Sequence, residues 1–306
     1  MAWTEATPVR GIPGAAGVGR NYVKTGILMA SLVALLAIGG KAWGGTRGML
    51  FFGTGGLILN FLSYWFSDRI ALMMQRAQEV SRDELPNVYA IVERLTRRAN
   101  LPMPRIYVIP SETPNAFATG RNPSHAAVAV TQGIMRILDD RQLEGVLAHE
   151  LTHVRNRDIL ISTIAAAIAG LISALGYMIR WGALLGGFSR RDDDRGGSFL
   201  EVMAWTILAP LIALVIQLAI SRSREYAADA GGAELVGDPE PLAEALLSLE
   251  RGNEAIPYQY GGPATAHLFI VNPFSGSSLL NLLSTHPPIE ERVRRLREMR
   301  RGMRYT

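Results

Sequence analysis

His149 and His153 stand four residues apart, with Glu150 directly after the first, in the stretch Ala148-His149-Glu150-Leu151-Thr152-His153. On an α-helix that spacing puts both imidazoles on one face, where they can reach a single ion. Glu150 then sits at the edge of the face, close enough to take a proton from an activated water without being a ligand itself. The flanks suit a helix: Asp139 and Asp140 offer N-cap chemistry, and Gly145 is the only Gly or Pro between Arg141 and Arg157. The competing reading is an amphipathic helix with two solvated or satisfied histidines.

A His-Glu-x-x-His zinc enzyme needs a third protein ligand and an open position for water. The chain has no cysteine, so the ligand must be a histidine or a carboxylate. No Gly and third His follow His153 at the metzincin spacing. Ser221-Arg222-Ser223-Arg224-Glu225-Tyr226-Ala227-Ala228-Asp229 offers a better candidate. Glu225 and Asp229 are four apart on a helical pattern, so Glu225 can bind metal while Asp229 accepts a hydrogen bond from a ligating imidazole. The same residues also fit a charged helix start with local Arg–Glu pairs. His125 and His267 lie in polar or Gly-rich loops with no partner pattern.

Around these residues the 306-residue chain is 48% hydrophobic and 19% charged, a composition tilted towards membrane proteins. Its net charge of +4 lies largely beside apolar segments, which favours an anionic membrane surface over nucleic acid. Residues 1–24 read as a flexible basic tail, and 25–67 as a transmembrane hairpin of two apolar runs, Thr25–Gly40 and Met49–Phe66. A cleaved signal peptide competes for the first run, but the second begins almost at once. Trp43, Tyr64 and Trp65 fall near the span ends, where interfacial aromatics belong.

Residues 68–158 have the composition of a soluble domain, with a helix from about Ser81 to Arg98 and short strands at 105–110, 115–120 and 126–131. They read as a small sheet beside the metal helix. Residues 159–220 hold two further apolar runs around the charged loop 189–198, and Glu201 fits an interfacial carboxylate. Residues 221–306 complete the soluble part. Two crossings between 68 and 221 return the chain to one side, so both soluble segments share a compartment. Their arginines place it in the cytoplasm.

The ordered set of motifs resembles the HtpX family of membrane-anchored zinc proteases, relatives of the CAAX prenyl proteases. Two apolar runs, Asn-Ala-Phe-Ala-Thr-Gly at 115–120 and His149-Glu150-Leu151-Thr152-His153 come first. Two more apolar runs, Ser-Arg-x-x-Glu-Tyr-x-Ala-Asp at 221–229 and Ser284-Thr285-His286-Pro287-Pro288 follow. The resemblance implies one zinc per chain on His149, His153 and Glu225, with Glu150 as catalytic base. It implies that Asn115, Ala116 and Phe117 lie along substrate as an edge strand, and that His286 with Arg292 approaches the oxyanion. A surface or N-cap role before the proline-started helix is the alternative for His286. The N-terminal tail is longer than usual for the family.

The expected protein is therefore mainly α with a small β-sheet: a zincin-like, gluzincin metalloprotease domain on a four-helix transmembrane anchor. Its partners would be membrane-protein or unfolded-protein substrates and the lipid bilayer, with no nucleic acid, and the resemblance adds a role in quality control. Whether it forms a homo-oligomer is left open. Two other readings stay open here, an intramembrane metalloprotease and a zinc-binding membrane scaffold without catalysis. The polar surroundings of the motif (Arg141, Glu144, Arg155, Arg157, Asp158) argue against the first, and an intact Glu150 against the second.

Overall fold

Backbone in apolar surroundings must satisfy its own hydrogen bonds, so a run as apolar as 25–66 folds as helix. The computed structural model describes residues 15–164, 222–256, 269–270 and 287–303. Its first element, α1 (Ala15–Met74), is helical throughout, but Gly45 takes φ +59° and the chain doubles back there. The two arms touch along small residues. A Cβ on Gly40 would stand 2.4 Å from the Gly48 carbonyl oxygen, and Asn60 Nδ2 donates to the Met29 carbonyl at 2.8 Å. The second arm, Gly45–Met74, is 30 residues long with mean hydropathy 1.4, long and apolar enough to cross a membrane. The first contains a shorter apolar helix, Thr25–Lys41.

Phe51, Leu57, Ile58 and Phe61 all point outward from this hairpin, a surface that water does not favour. Of the other two apolar runs, the third is described only to residue 164 and the fourth lies outside the described residues.

Beyond α1, four short strands form one mixed sheet: β1 (Gln78–Glu79), β2 (Arg105–Ile109), β3 (Ala116–Thr119) and β4 (Ala127–Thr131), in the order β1-β2-β4-β3. β2 and β4 run parallel, with Tyr107 opposite Ala129. β3 runs antiparallel to β4, with Phe117 opposite Ala129, and is an edge strand among the described residues. Side chains alternate across a strand. One set (Ile106, Ala116, Ala118, Val128, Val130) joins the main core, while the other (Tyr107, Ile109, Phe117, Ala127, Ala129) packs against Leu72 near the end of α1. The sheet is thus a floor between the apolar hairpin and a layer of helices.

That layer contains α2 (Pro86–Ala99), α3 (Gln132–Ile137), α4 (Asp140–Arg155), α5 (Arg222–Val236), α6 (Glu240–Ala255) and α7 (Ile289–Met303). α4 is the central member and touches α2, α5, α6 and β3. It starts with a capping box in which Asp139 and Gln142 satisfy each other's backbone N–H groups. Its inner side, Leu143, Val146, Leu147, Leu151 and Val154, is buried. Two glycines let neighbouring helices approach closely. A Cβ on Gly145 would meet the Leu242 backbone nitrogen at 2.7 Å, and one on Gly232 would meet the His149 nitrogen at 2.8 Å. The lone Gly145 in the motif helix is therefore a crossing point.

Gly232→Ala should force α5 off α4, because the obstructing atoms are backbone and cannot rotate away. We expect a loss of about 1–3 kcal/mol in denaturant unfolding of the detergent-solubilised chain, with weakened metal binding. A variant as stable as wild type would contradict the close crossing.

Candidate metal centre

The crossing of α4 and α5 brings His149, His153 and Glu225 together. One ligand atom from each lies within 4.8 Å of the others. His149 Nε2 is 3.2 Å from His153 Nε2 and 3.8 Å from Glu225, and His153 Nε2 is 3.7 Å from Glu225. Donors bound tetrahedrally at zinc distances of about 2.0–2.1 Å stand about 3.3 Å apart. Two imidazole nitrogens and a carboxylate pointing at one spot from that separation fit a shared divalent cation. His149 and Glu225 are buried, and His153 is partly so.

The outer nitrogen of each imidazole meets a carboxylate, as ligating histidines require. Asp229 Oδ1 lies 3.0 Å from His149 Nδ1, and Asp158 Oδ2 lies 3.3 Å from His153 Nδ1. Asp158 reaches back five residues because α4 ends in Asn156 and in Arg157, which is left-handed at φ +62°. Burial alone would lower the His153 pKa, but the Asp158 hydrogen bond and the charges of Glu225, Asp158 and Glu150 outweigh it and raise the group to about 9. Below that pH a metal ion must displace a proton from the site. Arg224 adds positive charge near Asp158 and Glu225, and burial lowers its own pKa.

Asp229 is itself held by Arg292 of α7, whose Nη2 and Nε donate to the two carboxylate oxygens at 2.6 and 2.9 Å. Arg292 has 0% of its surface exposed. Its remaining Nη1 donates to the Ile270 carbonyl at 3.2 Å, and the Ile270 N–H donates to Asn115 Oδ1 at 3.1 Å. The chain of contacts runs from β3 through residue 270 and α7 to the first metal ligand. Burial would raise the Asp229 pKa, but Arg292 and His149 hold it at about 2. Because the folded value lies below the ordinary carboxyl value of about 3.9, Asp229 adds stability above roughly pH 4 that is lost as pH falls towards 2.

Glu150 is beside the ligands but not among them. Its Oε2 accepts the Ala118 N–H at 2.8 Å, so the edge strand fixes the carboxylate. The other expected residues divide. Asn115 is buried and takes part through the Ile270 contact. Ala116 lies on the same strand face as Ala118. Phe117 is not brought to the centre, because its ring faces α1 and its strand position pairs with Ala129. Arg292, expected at the oxyanion, has its guanidinium engaged by Asp229 and the Ile270 carbonyl. Its field also reaches Glu225 and Glu150. His286 lies outside the described residues.

Asp158 and the Ala118 N–H were not among the site residues expected from sequence. Nothing in the spacing of Asp158 marks it, because its contact depends on the turn at Arg157.

Glu150 is thus a buried carboxylate held by the edge strand beside three possible metal donors and is not one of them. The class that this defines is the His-Glu-x-x-His metallopeptidases, with the third ligand a glutamate from a later helix. The model of peptidase family M48 matches residues 82–300, and the chain belongs to that family, among its HtpX proteases. A "Protease HtpX homolog" of Desulforapulum autotrophicum is 53% identical over 277 residues, 90% of this chain and 89% of that one. The Thermococcus kodakarensis homolog is 53% identical over 282 residues, 92% of this chain and 97% of that one. The crystal structure of S. mikatae Ste24p is similar at a TM-score of 0.49 and 18% identity, over 92% of this chain and 67% of that one.

Replacing Arg292 by Met leaves Asp229 buried without its partner and should cost about 3–5 kcal/mol in denaturant unfolding. The double variant Arg292→Met/Asp229→Leu should regain most of that stability yet bind zinc about 10–100-fold more weakly than wild type. Wild-type zinc affinity in the double variant would rule out the role given to Asp229.

Proposed function

We propose that this metallopeptidase is a zinc-dependent endopeptidase held in a bilayer. It would cut water-exposed segments of membrane proteins, or unfolded proteins, on the cytoplasmic side, in membrane-protein quality control. The observation that carries the catalytic part is the Ala118–Glu150 hydrogen bond, which ties the base to the strand along which a peptide can pair. Two imidazoles and one carboxylate suit zinc better than harder or softer ions.

When bound by His149, His153 and Glu225, the ion supplies Lewis acidity, polarising a scissile carbonyl and making water acidic. The rest is done by the chain. β3 has β4 on one side, and among the described residues no strand on the other. The family resemblance suggests that an extended peptide lies along that edge. Ala118 N–H holds Glu150 Oε2 and leaves Oε1 to accept a proton from the attacking water. The water oxygen bonds to the carbonyl carbon, the C–N bond breaks, and Glu150 passes its proton to the leaving nitrogen. Asp229 and Asp158 keep the imidazole faces turned inward throughout.

The apolar hairpin supports the membrane assignment, since Gly45–Met74 exposes large hydrophobic side chains along a length sufficient to cross a bilayer. The two apolar runs between 159 and 220 would complete a four-helix anchor. The arginine-rich soluble segments favour the cytoplasmic side, and the quality-control role rests on the family resemblance.

Glu150→Gln keeps the ligands and removes the proton carrier. It should retain zinc while casein cleavage falls at least about 100-fold in detergent. Retained activity would overturn the mechanism. Activity lost together with zinc would show that Glu150 is needed for the metal.

A further inference from the structure

At the end of its apolar stretch, α1 lines a cleft of about 630 Å3 against the loops that follow α2 and β3. One wall is apolar: Phe61, Trp65 and Phe66 from α1, with Met103 opposite, all substantially exposed. The rest is basic. Asp68 and Arg105 pair at 3.0 Å, and Arg105 also donates to the Tyr107 hydroxyl, so that pair is largely neutralised. Arg69 and Arg121 meet no carboxylate among the described residues. Each lies over an aromatic ring, Arg121 at 4.9 Å from the Trp65 centroid and Arg69 at 5.9 Å from that of Phe66. A guanidinium stacked on a ring still presents its in-plane N–H fork. Two forks and an aromatic wall beside an outward-facing apolar helix suit a molecule with an anionic head and a hydrocarbon tail.

We propose that this cleft binds the headgroup of an anionic phospholipid from the bilayer that α1 enters. The phosphate lies between Arg69 and Arg121, and the acyl chains run along Phe61 and Phe66. A free inorganic anion would leave the exposed aromatic wall and Met103 without a function. The site also has a route to the chemistry. Arg121 follows Thr119 and Gly120 directly, and β3 carries the Ala118 N–H that fixes Glu150. Gly120 N–H donates to Thr163 Oγ1, which ties this turn to the helical segment 158–164. A lipid phosphate on Arg121 therefore steadies the end of the strand that positions the base. The proposal rests on the reading of α1 as a membrane helix.

The test uses the full chain and the double variant Arg69→Gln/Arg121→Gln. Arg69 is exposed and Arg121 half-buried, and unchanged zinc content confirms that the variant is folded. Binding of dioctanoyl phosphatidylglycerol, dioctanoyl phosphatidylcholine and inorganic phosphate is titrated in detergent. Casein cleavage is then compared in phosphatidylcholine vesicles with and without phosphatidylglycerol.

Wild type should prefer phosphatidylglycerol, with about fivefold lost per arginine and about 25-fold in the double variant. Phosphate alone should not compete, and cleavage should rise with phosphatidylglycerol in wild type only. Equal binding of the two lipids, a preference that survives in the double variant, or phosphate binding as tight as the lipid would each overturn the proposal. Vesicle flotation separates the two readings. If both proteins float and the lipid preference is missing, the headgroup site fails and the membrane assignment stands. If wild type does not float, the membrane assignment fails and takes the site with it.

Discussion

A buried guanidinium and a buried imidazole share one carboxylate, and the catalytic half of the protein is arranged around that contact. Asp229 lies between Arg292 and His149, far from water on both sides. Burying an arginine is unfavourable unless its donors are matched, and here each donor set has a carboxylate or a carbonyl. Because the partners come from α4, α5, α7 and residue 270, the contact can form only when these distant pieces of chain have come together. One interaction thus joins fold completion to ligand orientation.

The same economy of position is visible at the base. Glu150 is on α4 and its hydrogen-bond donor is on β3, so the helix and the edge strand must be correctly registered for the carboxylate to be held. Asn115, three residues earlier, joins β3 to residue 270 and through it to Arg292. Strand, base and metal ligands are therefore mechanically continuous. On the other face of the sheet, Phe117 and Tyr107 rest on the end of α1. The apolar hairpin thereby supports the strand that holds Glu150.

How much of this could be read from the residues depends on how local each feature is. The histidine pair and Glu150 are legible because helical spacing alone puts them on one ion. Glu225 and Asp229 are legible as a pair for the same reason, though nothing in their spacing says which helix they face. The glycine contacts that bring α5 to His149 are not legible, since Gly231 and Gly232 look like helix weakeners until the neighbouring backbone is seen. Asp158 is hidden by the left-handed turn at Arg157. The contact of Arg292 with Asp229 is not legible either, since the burial of an arginine is a tertiary property. The hairpin of α1 is foreshadowed by two apolar runs, with Gly45 supplying the backbone reversal between them.

The central claim is that two helices far apart in sequence complete one metal site through Glu225. The direct measurement is metal content of purified wild type and Glu225→Ala by elemental analysis, with circular dichroism to confirm that both are folded. The account predicts about one zinc per wild-type chain and loss of the metal from a variant that keeps its helical signal. A folded Glu225→Ala variant that still holds one tightly bound zinc would contradict it.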